Sequence, residues 1–186
     1  LSGIDLVLAR VARGDVGAGR ASPLEVEVVE LFDAYRDRLF RYVLSFGVSV
    51  DDSEDVVQEV FLALFRHLRG GGARSHLRGW LFRVAHNLAL KRRMGNRRME
   101  GGAELLLETV ADEGLNPEEE MVFRERQAGL LAMVKAMPEV DERCLRLRAE
   151  GLKYREIAEV LGISLGGVSL ALTRALGRLR HAEVRR

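Results

Sequence analysis

Apolar residues recur at three- and four-residue intervals along most of the chain, the spacing of helices that bury one face. The pattern predicts helices near residues 24–46, 53–69, 76–94, 117–136, 139–150, 154–161 and 165–181. In the second of these, Val56, Val57, Val60, Phe61, Leu64 and Leu68 share one face, which leaves Asp55, Gln58, Glu59 and Leu62 on the other. In the third, Leu77, Trp80, Leu81, Val84, Ala85 and Leu88 form the apolar stripe. Burying one indole removes about 150–250 Å² from water, so Trp80 is the expected core anchor of this part of the chain. Residues 1–23 carry only a short amphipathic stretch, Ile4 to Val11, followed by Gly14, Gly17 and Gly19.

Prolines and glycines punctuate these helices. Ser22-Pro23-Leu24-Glu25 places a capping Ser, a first-turn Pro and a Glu three residues after the Ser, a helix start in which side chains satisfy the free N–H groups. Asn116-Pro117-Glu118-Glu119-Glu120 repeats the signal, with acids at the positive end of the helix dipole. Pro138 falls between two periodic stretches and breaks them, while Gly70-Gly71-Gly72, Gly101-Gly102, Gly151 and Gly162 mark connectors. Composition agrees with helix. Leu, Arg, Ala and Glu fill half of the 186 positions, whereas Ile and Thr together number five. The expected fold class is all-α.

Charge sorts into blocks that the net value of +1 conceals. Asp51 to Glu59 holds five acids and no base, and Val60 to Met99 holds ten bases and no acid. From Glu100 to Glu125 the balance reverses to nine acids and one base, and from Glu139 onward it is ten bases against seven acids. These shifts divide the chain into an N-terminal segment, 1–23, a helical domain over 24–98, an acidic linker over 99–116 and a second helical domain over 117–186. The single cysteine, Cys144, excludes an internal disulfide, and His67, His76, His86 and His181 show no ligand spacing for a metal. No cofactor is implied. No apolar run approaches the roughly 18 residues of a membrane span, so the expected location is the reducing cytoplasm, without membrane insertion.

The most specific local pattern is Tyr154-Arg-Glu-Ile-Ala-Glu-Val-Leu-Gly162-Ile-Ser-Leu-Gly-Gly-Val168. Ala158 is small where two helices cross, Gly162 permits a left-handed turn, and Ser164 caps the next helix. Ile157, Leu161, Ile163, Val168 and Leu172 fill a small core between them. This is a helix-turn-helix, whose second helix enters the DNA major groove. The candidate readers are Lys153, Arg155, Ser164, Gly167, Ser169, Leu170, Thr173, Arg174 and Arg178. Bidentate donors for bases are few among them. Leu170 suits either a thymine methyl or a protein contact beside Leu176.

Four stretches together resemble the sigma-70 class of bacterial RNA polymerase sigma factors, and within it the small extracytoplasmic-function (ECF) type. They are Leu31-Phe-Asp-Ala-Tyr-Arg-Asp-Arg-Leu-Phe-Arg-Tyr, Asp55-Val-Val-Gln58-Glu-Val-Phe61-Leu-Ala-Leu-Phe, Leu77-Arg-Gly-Trp80-Leu-Phe-Arg-Val-Ala-His-Asn87-Leu-Ala, and Met137-Pro138 through Arg180. The resemblance implies that Asp55, Gln58 and Glu59 meet the clamp helices of the largest subunit of core RNA polymerase, with a further contact to its flap region. It implies that Asn87 meets a base captured from the melted minus-10 strand, with Arg83, Lys91, Arg92 and Arg93 on its phosphates. The helix-turn-helix would read the minus-35 element of promoter DNA, and an anti-sigma partner is common in the family. The chain departs from the family pattern in three places, the first being the stretch between Gly14-Asp15 and Leu31, which is longer than in typical members. The loop Gly70-Gly-Gly-Ala-Arg-Ser-His76 lacks an aromatic residue, and the reader helix has Ser169, Ala171 and Gly177 where basic residues are usual.

The leading expectation is thus a sigma subunit with no catalysis of its own. A stand-alone helix-turn-helix regulator, in which the acid face would be idle, is a second reading. A sigma-derived polymerase-binding protein that has lost upstream reading is a third. No nucleophile with a base, phosphate loop or metal cluster supports an enzyme.

Overall fold

A computed structural model describes residues 22–96 and 128–184, all of whose regular elements are helices. The chain divides into two compact units, 1–105 and 106–186. The acidic linker, Pro117 and most of the N-terminal segment lie outside the described residues, as does the first part of the helix expected over 117–136, of which 128–135 is helical.

The first unit contains α1 (Pro23–Leu44), α2 (Val50–Arg69) and α3 (Leu77–Asn96), each packed on the other two. The capping box at the start of α1 forms as its sequence dictates: Ser22 N–H donates to Glu25 Oε2 at 2.6 Å, and Glu25 N–H donates to Ser22 Oγ at 3.3 Å. Helix α2 starts at Val50, three residues before the expected boundary, because Ser49 rather than a later residue caps it, accepting from Asp52 N–H at 3.1 Å. Its apolar face is the expected one: Val56, Val57, Val60, Phe61, Leu64 and Leu68 are all buried.

Helix α3 presents a different face from the expected stripe. Leu81, Phe82, Ala85, His86 and Ala89 are buried, while Leu77, Trp80, Val84 and Leu88 lie on the flank. Trp80 is not the core anchor. It sits in the first turn of α3, where the helix emerges from the loop, and its ring stacks on His67 with centroids 4.9 Å apart. The anchors are Phe61, Phe82 and Tyr42, with Tyr42 edge-on to Phe82 at 5.3 Å and to Phe46 at 5.4 Å.

The second unit follows the helical stretch 128–135 with α4 (Glu139–Ala149), α5 (Tyr154–Leu161) and α6 (Leu165–Val184). Pro138 stands at the N-cap of α4, as the break between helices. Gly162 ends α5 at φ 65°, the left-handed conformation that costs Gly nothing. The helix pair then bends by 103°, within the range of helix-turn-helix motifs. Cys144, Leu147, Leu152, Ile157, Val168, Leu172 and Ala175 fill the core, with Leu161 and Ile163 at its margin. No single helix among the described residues is long and apolar enough to cross a membrane.

Burial, aided by the nearby Asp141 carboxylate, pushes the Cys144 thiol up to about 11, against about 8.5 for a free thiol. The folded state therefore retains a proton that the unfolded state releases. Stability from this group is complete below about pH 8.5 and is lost as pH rises towards 11. A thiol-reactive dye at pH 8 is expected to label Cys144 only through opened molecules, at a rate that rises with denaturant. Labelling at the rate of a free thiol without denaturant would contradict this burial.

Candidate functional site

The exposed side of α2 follows directly from its buried one. With Val56, Val57, Val60 and Phe61 turned inward, Asp55, Gln58 and Glu59 are turned out together. Asp51 and Asp52 occupy the first turn, where the helix dipole favours negative charge.

On α3 the exposed residues Arg83, Asn87 and Lys91 form a row at four-residue spacing, one turn apart. Asn87 offers a donor and an acceptor between two cations. Directly beneath it in sequence, buried His86 hydrogen-bonds through Nδ1 to the Tyr42 hydroxyl at 3.0 Å, fixing this part of α3 against α1. Arg92 does not join the row. Its guanidinium lies 3.3 Å from Asp52 and 3.4 Å from Asp55, so the structure joins a residue expected on DNA to one expected on polymerase. An exposed pair of this kind is worth only about 0.2–1 kcal/mol, weak enough for a phosphate to displace. Arg93 is half-buried and engaged in an interaction of its own.

The loop before α3 is held at several points that the sequence reading did not identify. Gly71 has φ 77° and His76 has φ 60°, a left-handed conformation that is uncommon for a side-chain-bearing residue. His67 Nε2 donates to the carbonyl of Ala73 at 3.1 Å while its ring stacks on Trp80. Arg74 Nε lies 3.1 Å from both carboxylate oxygens of Glu27 on α1. Gly72 is packed so closely that a methyl group there would overlap the His67 ring. Gly72→Ala is expected to displace His67 from Trp80 and shift the emission of this sole tryptophan, whereas Gly71→Asn, compatible with positive φ, should leave it unchanged. Equal spectra for both variants would contradict the packing of His67 between the loop and Trp80.

The helix-turn-helix positions its candidates unevenly. Ser164 Oγ accepts from Gly167 N–H at 3.0 Å, as a cap should. Gly167 is not an outward position: it is half-buried, and a Cβ there would meet Ser164 and Ile163. Lys153, Arg155, Ser169, Leu170, Thr173 and Arg178 are exposed. Thr173 Oγ1 donates to the Ser169 carbonyl at 2.9 Å. Arg174 reaches back to α4, where Nε and a terminal nitrogen bond the two oxygens of Asp141 at 3.0 and 2.6 Å. The hydrogen bond to Asp141 raises the Arg174 guanidinium further above its ordinary range. Asp141 itself is fully buried. The pair thus ties α6 to α4, a role that the outward helical position of Arg174 could not reveal. Among the described residues, no group of three or more His, Cys, Asp or Glu side chains could hold a metal ion.

Comparison with known proteins bears on both units. Residues 31–99 match the family Sigma-70 region 2, and residues 127–179 match Sigma-70, region 4. The ECF RNA polymerase sigma factor SigE of Mycolicibacterium smegmatis is 32% identical over 156 residues, covering 81% of this chain and 59% of that protein. The ECF RNA polymerase sigma-E factor of Haemophilus influenzae is 31% identical over 137 residues, covering 69% of this chain and 72% of that protein. The RNA polymerase sigma-H factor of Pseudomonas aeruginosa is 27% identical over 178 residues, covering 91% and 88% respectively. Among solved structures, CnrH in complex with the cytosolic domain of CnrY has a similar fold, with a TM-score of 0.59, 21% identity, and coverage of 97% of this chain and 96% of that one.

Proposed function

Because the chain belongs to the ECF sigma factors of the sigma-70 family, which direct promoter-specific transcription, we propose that its two units divide that task between polymerase and DNA. The first unit docks on the clamp helices of core RNA polymerase through Asp55, Gln58 and Glu59. The row Arg83, Asn87 and Lys91 then holds the melted minus-10 strand, the cations on its phosphates and the Asn87 amide on an unstacked base. The helix-turn-helix meets upstream duplex, with Lys153, Arg155 and Arg178 on the backbone, and the flap region supports it. Polymerase supplies the chemistry. The protein itself has no catalytic role.

The observation that carries this reading is a pair of oppositely charged exposed faces on one three-helix unit: acids and Gln58 on α2, cations flanking Asn87 on α3. A stand-alone regulator has no use for the first, and a polymerase tether alone has no use for the second. Asn87→Ala is expected to lower open-complex formation, read by permanganate reactivity of unpaired thymines, while leaving recovery with core polymerase unchanged. Equal losses in both measurements would remove the base-reading role.

The proposal extends to an anti-sigma partner that blocks these faces. CnrH, which shares the fold, is seen bound to the cytosolic domain of CnrY. The third reading, a polymerase-binding protein without upstream recognition, draws support from the engagement of Arg174 by Asp141. It predicts transcription that is indifferent to upstream sequence.

A further inference from the structure

The exposed arc of α6 is unlike a surface built to read guanine. Its first nine residues, Leu165 to Thr173, contain no cation. Leu165, Leu170 and Leu176 are 50%, 57% and 45% exposed, and at 100° per residue they lie on the outward half of the helix with Ser169 and Thr173. Arg174, the first cation along the helix, is held by Asp141 through two hydrogen bonds. The Thr173 hydroxyl donates its hydrogen bond to the Ser169 carbonyl. Bidentate recognition of guanine O6 and N7 needs a free guanidinium or ammonium, and this half of the helix presents none.

The N-terminal half of a reader helix is the part that reaches base edges in a helix-turn-helix. Among unmodified bases, the apolar group displayed in the major groove is the C5 methyl of thymine. An exposed Leu that meets such a methyl removes apolar surface from water, whereas against a polar base edge it leaves a donor or acceptor unpaired. The cations stand at the edges instead, Lys153 and Arg155 at the entry of α5 and Arg178 and Arg180 at the far end of α6, all exposed. Backbone contacts at the rim with selective contacts at the centre is the division of labour found in DNA interfaces. Gly177 has open space where a side chain would stand, and Gly166 meets only Ser164 Oγ there, so neither adds bulk to the arc beside Leu170.

We propose that α6 selects its upstream element by contact of Leu170 with thymine methyl groups in the major groove, and not by hydrogen bonds to guanine. This rests on the reading of the chain as a sigma factor whose second unit meets upstream duplex DNA, and it names the base chemistry that this unit recognises.

The test uses holoenzyme, the full chain bound to core RNA polymerase, and duplex promoters with a randomised upstream block. Selected thymines are then replaced one at a time by deoxyuridine, which keeps base pairing and removes only the methyl. The expected result is an enriched upstream element containing thymine. One or two positions within it should lose about fourfold in affinity on replacement, the factor that burying one methyl group gives. Leu170→Ala should lose a similar factor on the thymine promoter and no longer distinguish thymine from deoxyuridine. An enriched element with equal affinity for both bases, or undiminished discrimination by Leu170→Ala, overturns the methyl proposal and leaves upstream reading intact. No enrichment upstream, with promoter opening preserved, overturns both. Loss of core polymerase by Leu170→Ala makes this face a protein contact and overturns the proposal as well. Leu170 is exposed, so circular dichroism of the variant should match that of the parent.

Discussion

Changing Gln58 to Ala together with Glu59 to Arg is expected to lower recovery of core RNA polymerase about tenfold or more in a pull-down by the tagged protein. The double change removes a polar contact from the middle of the α2 face and adds a repulsive charge at its edge, and repulsion excludes a partner more effectively than a lost contact does. Both side chains are exposed on the face opposite the buried Val56, Val57, Val60 and Phe61. The unit should therefore fold unchanged, with the same thermal midpoint and the same Trp80 emission. Unchanged recovery would assign the acid block to solvation and helix capping alone.

Asp141→Ala is the second large effect, and it falls on the other unit. Asp141 is fully buried, and its two oxygens engage Arg174 across α4 and α6. Removing the carboxylate takes away the tie between these helices and leaves a hole in the wall beside Cys144. Breaking a buried, hydrogen-bonded charge pair is among the most damaging single changes. The midpoint of the second unit should fall by on the order of 10 °C, and Cys144 should become reactive to a thiol dye at temperatures where the parent protein is protected. The first unit, followed by Trp80, should melt as before. Core polymerase should still be recovered, because the α2 face is untouched, while dependence on upstream promoter sequence is lost. A second unit that melts at the parental temperature would show that the Asp141–Arg174 pair contributes nothing to its assembly.

The elements that were legible in the sequence share a physical feature: a one-dimensional pattern sufficed to specify them. The α2 face was readable because a 3.6-residue period divides six apolar residues from three polar ones without ambiguity. The turn at Gly162 and the cap at Ser164 were readable because each requires a particular residue type at one position. The face of α3 was not, since its apolar residues spread around more than half of the helix. Which of Trp80 and Phe82 went inward depended on the approach of α1, through Tyr42 and His86. Pairings between distant residues were equally hidden. Arg174 with Asp141, Arg92 with Asp52 and Asp55, and Arg74 with Glu27 are 33 to 47 positions apart or bridge separate helices. Each takes a cation that charge counting assigns to the surface and gives it a partner within its own unit. The charge blocks therefore located the faces, and the folded chain decided which members of each block remain available to bind.

The most direct test of the sigma-factor reading is transcription in vitro from a library of genomic fragments by core RNA polymerase with and without the full chain. Addition of the protein should give new transcripts with defined start sites, whose promoters share a downstream element and lose activity with Gln58→Ala plus Glu59→Arg or with Asn87→Ala. Transcripts whose start sites and yields do not depend on the protein would contradict it.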